Sequence, residues 1–440
     1  MNYYSTNKQA ETVNLQDAVI KGLAPDRGLY MPERIPVLSD EFFNKLPDMS
    51  FQEMAYEVAE VFFGEDIERE VLKKIVYDTL NFDTPVVHVN DSIYSLELFH
   101  GPTLAFKDVG ARFMARLLGY FVKKAGIENV NVLVATSGDT GSAVANGFLG
   151  VEGIQVYVLY PKGKVSPIQE CQFTTLGRNI HPIEIDGTFD DCQALVKTAF
   201  LDNELTNKMN LSSANSINVA RFLPQAFYYF NAYAQLRTKG IKNDIVFCVP
   251  SGNFGNITAG LIAQRMGLPI KRFIAANNKN DIFLQYLLTG FYDPKASIQT
   301  LANAMDVGDP SNFVRILDLY NHNHETITQN ISGYRCDDEQ IQKTVQLCYR
   351  DTGYLLDPHG ACGYAALLQG LHANETGVFL ETAHPAKFLG TIRNIIGETI
   401  EIPRKLKEFM KGEKQNIELS NSYTDFRNLL LKNSIAKSPK

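Results

Sequence analysis

The sequence predicts an α/β protein in which parallel strands are covered by helices, with a helical lobe in front. Short β-branched runs alternate with longer amphipathic stretches from about residue 86 onward, the pattern of right-handed βαβ units. Two of those runs break into glycine-rich turns that open a helical pattern. Before them, apolar residues recur at helical spacing between Pro and Gly breaks.

Residues 1–85 are the expected helical lobe. Phe51 to Phe63 carries the helical period, and Leu23-Ala24-Pro25-Asp26-Arg27-Gly28-Leu29-Tyr30-Met31-Pro32 reads as a loop because Pro and Gly interrupt any regular element. Two α/β domains follow, over 86–235 and 236–440. Buried strands are expected at 131–135 and 155–159 in the first and at 244–249, 271–275 and 377–380 in the second. No repeat of solenoid period is present, and the Lys-rich stretch 432–440 reads as a frayed end.

Composition narrows the function. At 440 residues, 45% hydrophobic and 21% charged, the chain can bury the cores of two or three ordinary globular domains. A net charge of -7 without a basic cluster argues against nucleic-acid binding, which needs an excess of Lys and Arg facing phosphates. The six cysteines are scattered, with no CxxC pair and no His at ligand spacing, so neither a zinc site nor a disulfide framework is expected. No stretch approaches the roughly 18 apolar residues of a spanning helix, and the start lacks an apolar leader; a cytoplasmic protein away from membranes is expected.

Three segments carry chemistry. Val132-Leu133-Val134-Ala135-Thr136-Ser137-Gly138-Asp139-Thr140-Gly141 and Val246-Phe247-Cys248-Val249-Pro250-Ser251-Gly252-Asn253-Phe254-Gly255-Asn256 share one design, a strand running into a Gly-rich turn and a helix start. Free N–H groups at the positive end of each helix make each turn a candidate anion cradle, and glycine allows the backbone close to the ligand. The same pattern also occurs as a plain strand-to-helix connection. The third segment is His100-Gly101-Pro102-Thr103-Leu104-Ala105-Phe106-Lys107-Asp108, where helix-start residues put Lys107 in or near a first turn. A lysine beside that dipole is disfavoured as a cation, and partial burial lowers its pKa further, as a Schiff-base or general-base lysine requires.

The string from His100 to Asp108 resembles the lysine motif of the threonine synthases, members of the pyridoxal-phosphate fold type II group. The likeness extends in order along the chain. It includes the 23–32 loop, Thr136 to Gly141, Ser251 to Asn256, Ala302-Asn303-Ala304-Met305-Asp306-Val307-Gly308-Asp309-Pro310-Ser311-Asn312, and Glu381-Thr382-Ala383-His384-Pro385-Ala386-Lys387-Phe388. The resemblance implies two open twisted sheets with flanking helices and pyridoxal 5'-phosphate as cofactor. Lys107 would form the Schiff base. Gly252, Asn253, Phe254, Gly255 and Asn256 would hold the cofactor phosphate through backbone N–H and side-chain amide groups, and Thr382 would bond the pyridine nitrogen.

It also implies that Thr136, Ser137, Gly138 and Thr140 bind the substrate carboxylate. Asp139 departs from the asparagine that several fold relatives carry to meet the cofactor's phenolic oxygen; two negative groups would repel there, so Asp139 either points away or is protonated. Arg112, Asn218 and Arg221, with the runs Ser213 to Arg221 and Lys162 to Pro167, read either as contacts to a substrate phosphate or as caps and solvated face. His359 and His384 read as structural.

The implied reaction converts O-phospho-L-homoserine and water into L-threonine and phosphate by γ-elimination and β-addition of water, with Lys107 as proton carrier. The competing expectations are a related phospholyase or amino-acid dehydratase on the same fold, and a phosphate-ligand binding protein without turnover. The sequence does not specify an oligomeric state.

Overall fold

The computed structural model describes residues 1–435, and the remainder of the expected frayed end lies outside the described residues. The part of that stretch that is described belongs to the helix Tyr423–Ile435. The N-terminal lobe holds the helices Phe51–Phe63 and Arg69–Thr79, and adds a small antiparallel sheet of β1 (Asn2–Ser5), β2 (Val13–Asn14) and β3 (Tyr30–Pro32) that the helical reading omits. Asp26 shapes the loop between β2 and β3 by accepting from Ser5 Oγ, Gln9 N, Ala10 N and Gly28 N.

Two larger sheets follow. The chain first lays down β4 (Val86–Asn90) and β5 (Ile93–Glu97), then β6 (Val130–Ala135), β7 (Ile154–Pro161), β8 (Ile180–Asp186) and β9 (Asn210–Ser213). It continues with β10 (Asp244–Pro250), β11 (Arg272–Asn277), β12 (Ile331–Arg335), β13 (Glu375–Glu381) and β14 (Ile417–Ser420). One sheet has the order β12-β11-β10-β13-β5-β4 and the other β14-β8-β7-β6-β9. Every pairing in both is parallel except β4 with β5. Parallel strands covered on both faces have no solvent side, which explains why β6 and β10 are buried along nearly their whole length and read as unbroken apolar runs.

All five expected strands are present within a residue or two of their ends. The division at 86 and 236 does not follow the sheets. β5 pairs in register with β13, Leu96 opposite Leu380, so β4 and β5 belong to the sheet of the later segment, and β14 returns to the sheet of the earlier one beside β8. Pairing partners this far apart in sequence leave no local signature.

In each sheet the strand before a Gly-rich turn has neighbours on both sides that the chain reaches by opposite routes. β10 lies between β11 and β13, and β6 between β7 and β9. Helices leaving a strand at such a switch point diverge, opening a crevice at the carboxyl end of the strand. The helix Gly255–Arg265 is seated against its own sheet by Gly260, where an added Cβ would lie 2.7 Å from the Phe273 and Tyr229 rings. Gly260→Ala is therefore expected to lower stability by about 1–3 kcal/mol, the cost of overpacking, somewhat offset by helix propensity. Urea unfolding measures it; an unchanged midpoint would show that the rings yield.

Candidate functional site

Lys107 is placed by the backbone around it. The loop after β5 passes through Leu104 at a φ of 56°, a region that side-chain-bearing residues adopt only when their surroundings impose it. Ala105 bridges Ala383, Phe106 N donates to the Thr382 carbonyl at 2.9 Å, and His384 N donates to the Leu104 carbonyl at 3.1 Å. Tyr228 donates its hydroxyl to the Phe106 carbonyl. Asp108 closes the loop from the other side, accepting from Thr103 N at 2.8 Å and Thr103 Oγ1 at 2.6 Å. Gly101 makes room for this, since a Cβ there would lie 2.3 Å from the Asp108 carboxylate.

Lys107 is then the first residue of the helix Lys107–Lys124, which buries Val109, Phe113, Leu117 and Phe121 at four-residue spacing. Its amine is pushed down to about 8, chiefly by burial. Asp139 opposes that shift, Lys387 and Arg221 reinforce it, and Asp357 opposes it more weakly.

The amine lines a cleft between the two sheets. Gly252, Asn253, Phe254, Gly255, Asn256 and Thr382 line the same cleft, so all the residues expected to hold the cofactor are gathered around Lys107. Phe254 caps the helix Gly255–Arg265 in the left-handed region, φ 62°, and contributes no side-chain cap, leaving the first N–H groups to another acceptor. Gly252 packs against the opposite wall, where a Cβ would lie 2.7 Å from the Ala304 carbonyl. The Asn256 side chain is spent on its own turn, donating to the Pro250 carbonyl at 2.8 Å and accepting from Ile257 N. Asn253 Oδ1 accepts from Ser311 N at 3.3 Å. Backbone N–H groups, more than side-chain amides, are what this turn offers to an anion.

The second Gly-rich turn contributes Ser137 and Thr140 to the cleft, and Arg221 joins them. Four other expected substrate contacts lie elsewhere. Thr136 and Gly138 do not line the cleft; Thr136 Oγ1 accepts from Gly138 N and Gly141 N, tying the turn to itself. Arg112 points outward to the carbonyls of Asp78 and Thr79 and to Asn81 Oδ1, one helical face away from Lys107. Asn218 caps the helix Val219–Phe222 and donates to the carbonyls of Val19 and Ser213. Lys162, in the other candidate run, is half exposed and pairs with Glu418 at 2.7 Å.

Of the two expectations for Asp139, the first fits: it does not line the cleft, and it is ionised rather than protonated. Its carboxylate meets the Lys387 ammonium at 2.6 Å and accepts from Gln169 Nε2 at 2.9 Å, with both charged side chains buried. Burial acts to raise its pKa, but Lys387 and Lys107 outweigh that and hold it at about 2. Lys387 escaped the sequence reading because an isolated lysine is ordinarily solvated.

Asn215 and Ser216, from the run expected to meet a substrate phosphate, line the cleft, and so do Asn303, Asp306 and His359, to which no contact was assigned. His359 Nε2 accepts from Ala304 N at 3.2 Å, so Nδ1 carries the proton given to Asp357 Oδ1 at 2.6 Å. Arg315, fully buried, holds the Ser216 and Ile217 carbonyls, the Tyr30 carbonyl of the N-terminal lobe and Asn312 Oδ1. That single guanidinium fixes the Ser216 wall, and only the run of buried carbonyls around it, invisible in sequence, would have revealed it.

A weakly basic amine, an uncapped helix end with Gly on its approach, and a hydroxyl across from it at Thr382 form a donor set suited to a phosphorylated aldehyde with a ring acceptor. Comparison with known proteins agrees. The family described as pyridoxal-phosphate dependent enzyme matches residues 78–381, threonine synthase N terminus matches 2–80, and threonine synthase, C-terminal, matches 360–429. The chain is 45% identical over 432 residues to the threonine synthase of Haemophilus influenzae, covering 98% of this chain and all of the relative. The crystal structure of threonine synthase from Escherichia coli superposes with a TM-score of 0.92 at 43% identity, covering 98% of this chain and 100% of that one. The pyridoxal-phosphate-bound threonine synthase from Brucella melitensis gives 0.91 at 35% identity, with 99% of each chain covered.

The lowered pKa gives the Lys107 amine a testable reactivity. Below about 8 it is protonated and inert; above, it is a free nucleophile. In cofactor-free protein, acylation of Lys107 followed by peptide mapping is expected to rise with a midpoint near that value. A midpoint in the ordinary lysine range would contradict the burial argument.

Proposed function

The chain belongs to the threonine synthase family, and from that premise we infer that it converts O-phospho-L-homoserine and water into L-threonine and phosphate. It is a pyridoxal-phosphate-dependent lyase. The observation that carries the site assignment is that the Lys107 amine and two helix N-termini open onto one cleft.

Lys107 would hold the cofactor covalently, the backbone N–H groups of Gly252 to Asn256 would receive its phosphate, and Thr382 would face its ring nitrogen. When bound, pyridoxal phosphate supplies an electron sink that stabilises negative charge on the carbon bearing the substrate amine. Ser137 and Thr140, at the start of the helix Asp139–Phe148, would take the substrate carboxylate. Arg221 is the one of the three expected phosphate contacts that lines the cleft, and with Asn215 and Ser216 it offers cationic and neutral donors to the substrate phosphate.

With those two ends fixed, the chain between them is stretched past Lys107. Its freed amine is placed to take the proton from Cα, which returns to that carbon at the end of the cycle, and, once relieved of it, the proton from Cβ, which lets phosphate depart from Cγ. The same amine can return a proton to Cγ. Water then adds at Cβ, and the fixed carboxylate determines which face it meets. Arg112 and Asn218 would support the fold without touching substrate.

The assay is direct. Purified protein loaded with pyridoxal phosphate and given O-phospho-L-homoserine should release phosphate and threonine in equal amounts, and Lys107→Ala should lose turnover while remaining folded. Phosphate with 2-oxobutyrate and no threonine would instead mark a phospholyase, and neither product would mark a binding protein. Gly252→Val should weaken retention of pyridoxal phosphate by at least about tenfold in equilibrium dialysis, because a β-branched side chain would meet the Ala304 carbonyl. Unchanged retention would count against the cradle at this turn.

A further inference from the structure

Lys387 has no place in the mechanism above, yet it is among the most buried charges in the protein, with no side-chain surface exposed. It lies in the short 3-10 turn Pro385–Phe388 that follows β13 and Thr382. Its ammonium bridges two elements that also pack on each other: it pairs with Asp139 Oδ1 at 2.6 Å and donates at 2.8 Å to the Thr103 carbonyl, which accepts from Gln172 Nε2 at 3.0 Å as well. Asp139 opens the helix at the second Gly-rich turn, and Thr103 belongs to the loop that positions Lys107.

A buried charge is costly unless fully paired, and an ion pair this enclosed is seldom retained for stability, since apolar replacements are often as good or better. A role tied to the nearby reacting amine explains its presence better. We propose that Lys387 is a positioning residue of the reaction: it neutralises Asp139 so that the Lys107 nitrogen faces a balanced ion pair, and it holds the Thr103 carbonyl that fixes the Lys107 loop. Without Lys387, Asp139 would be a buried carboxylate held by Gln169 and acted on by one remaining cation, the Lys107 nitrogen, and the two would pair. That nitrogen would then be locked as a cation, unable to accept the protons the reaction hands to it.

The other charged or titratable groups around this cluster do not replace it. Asp108 is committed to Thr103, Asp357 to His359 and the Ala383 amide, and Arg221 to the Ala214 and Lys107 carbonyls. His384, next to the turn, is held neutral by burial at about 4, and burial keeps the Cys171 thiol protonated. Among the described residues, only Lys387 brings a cation to Asp139 without taking part in the reaction.

The inference rests on Lys107 as the cofactor-bearing amine, and the test separates the two. In the holoenzyme, the visible absorption of bound pyridoxal phosphate changes with pH as the nitrogen attached to it gains or loses a proton. Lys387→Met should raise the midpoint of that change by about one pH unit or more, a tenfold gain in proton affinity. Asp139→Asn, which leaves the cation alone, should lower it. The double variant, lacking both charges, should fall between the two single variants.

If Lys387→Met does not fold, the double variant against Asp139→Asn carries the same comparison, with the double variant expected higher. Near-ultraviolet circular dichroism checks the fold in each case. Single substitutions that move the midpoint in the same direction, or leave it unmoved, would overturn the proposal while leaving Lys107 in place. A wild-type protein with no visible band lost on Lys107→Ala would overturn the underlying assignment instead.

Discussion

Lys107 sits where it does because two stretches far apart in sequence pair like strands for three residues. The loop 104–106 lies against 382–384 through the Ala105 and Ala383 bridge, with one amide donated in each direction and Leu98 N bonded to the Glu381 carbonyl beside it. These bonds force Leu104 into a conformation it would not choose alone, and they bring Thr382 opposite the amine. Because β13 is the neighbour of β10, the same pairing also sets the distance from Lys107 to the turn after β10. The proposed cofactor pocket is thus a consequence of sheet order, with Lys107 hung from the end of one strand and the proposed anion cradle from the end of the next.

Charge in the cleft is balanced on the same framework. Lys107, Lys387 and Arg221 face Asp139 and Asp357, and burial strengthens every one of these interactions by excluding water. Behind them Glu381 is buried with its pKa raised well above the carboxylate range, by desolvation first and by Asp357 second. A neutral Glu381 accepts the Asp357 amide at 2.5 Å without adding a further negative charge beneath the pocket. Asp357 remains free to orient His359, which in turn holds Ala304 against Gly252. The wall opposite the phosphate turn is therefore fixed by a chain of hydrogen bonds running back to the end of β13.

The N-terminal lobe takes part through Arg315. Its guanidinium stacks 3.9 Å from the Phe222 ring while bonding carbonyls from the lobe and from the Ser216 loop. Arg suits this position where Lys would not, because a planar group can stack and still present several donors at once. The lobe is in this way continuous with the wall that faces the substrate.

Much of the protein is legible from local pattern. Apolar runs and glycine-rich turns mark the strands and the two strand-to-helix turns that open onto the cleft, since both depend on residue types within a dozen positions, and the motif around Lys107 marks the start of its helix. Local pattern left two readings open for Arg112 and Asn218, which have the right chemistry for a phosphate; their helix face and cap geometry direct them to backbone carbonyls. What only the tertiary structure decided is which distant segments meet. The membership of β5 and β14, the pairing of 104–106 with 382–384, and the burial of Lys387 against Asp139 all depend on long-range packing. A sequence states which charges a chain carries; whether a given lysine loses its water and finds a carboxylate is settled only when the sheets close over it.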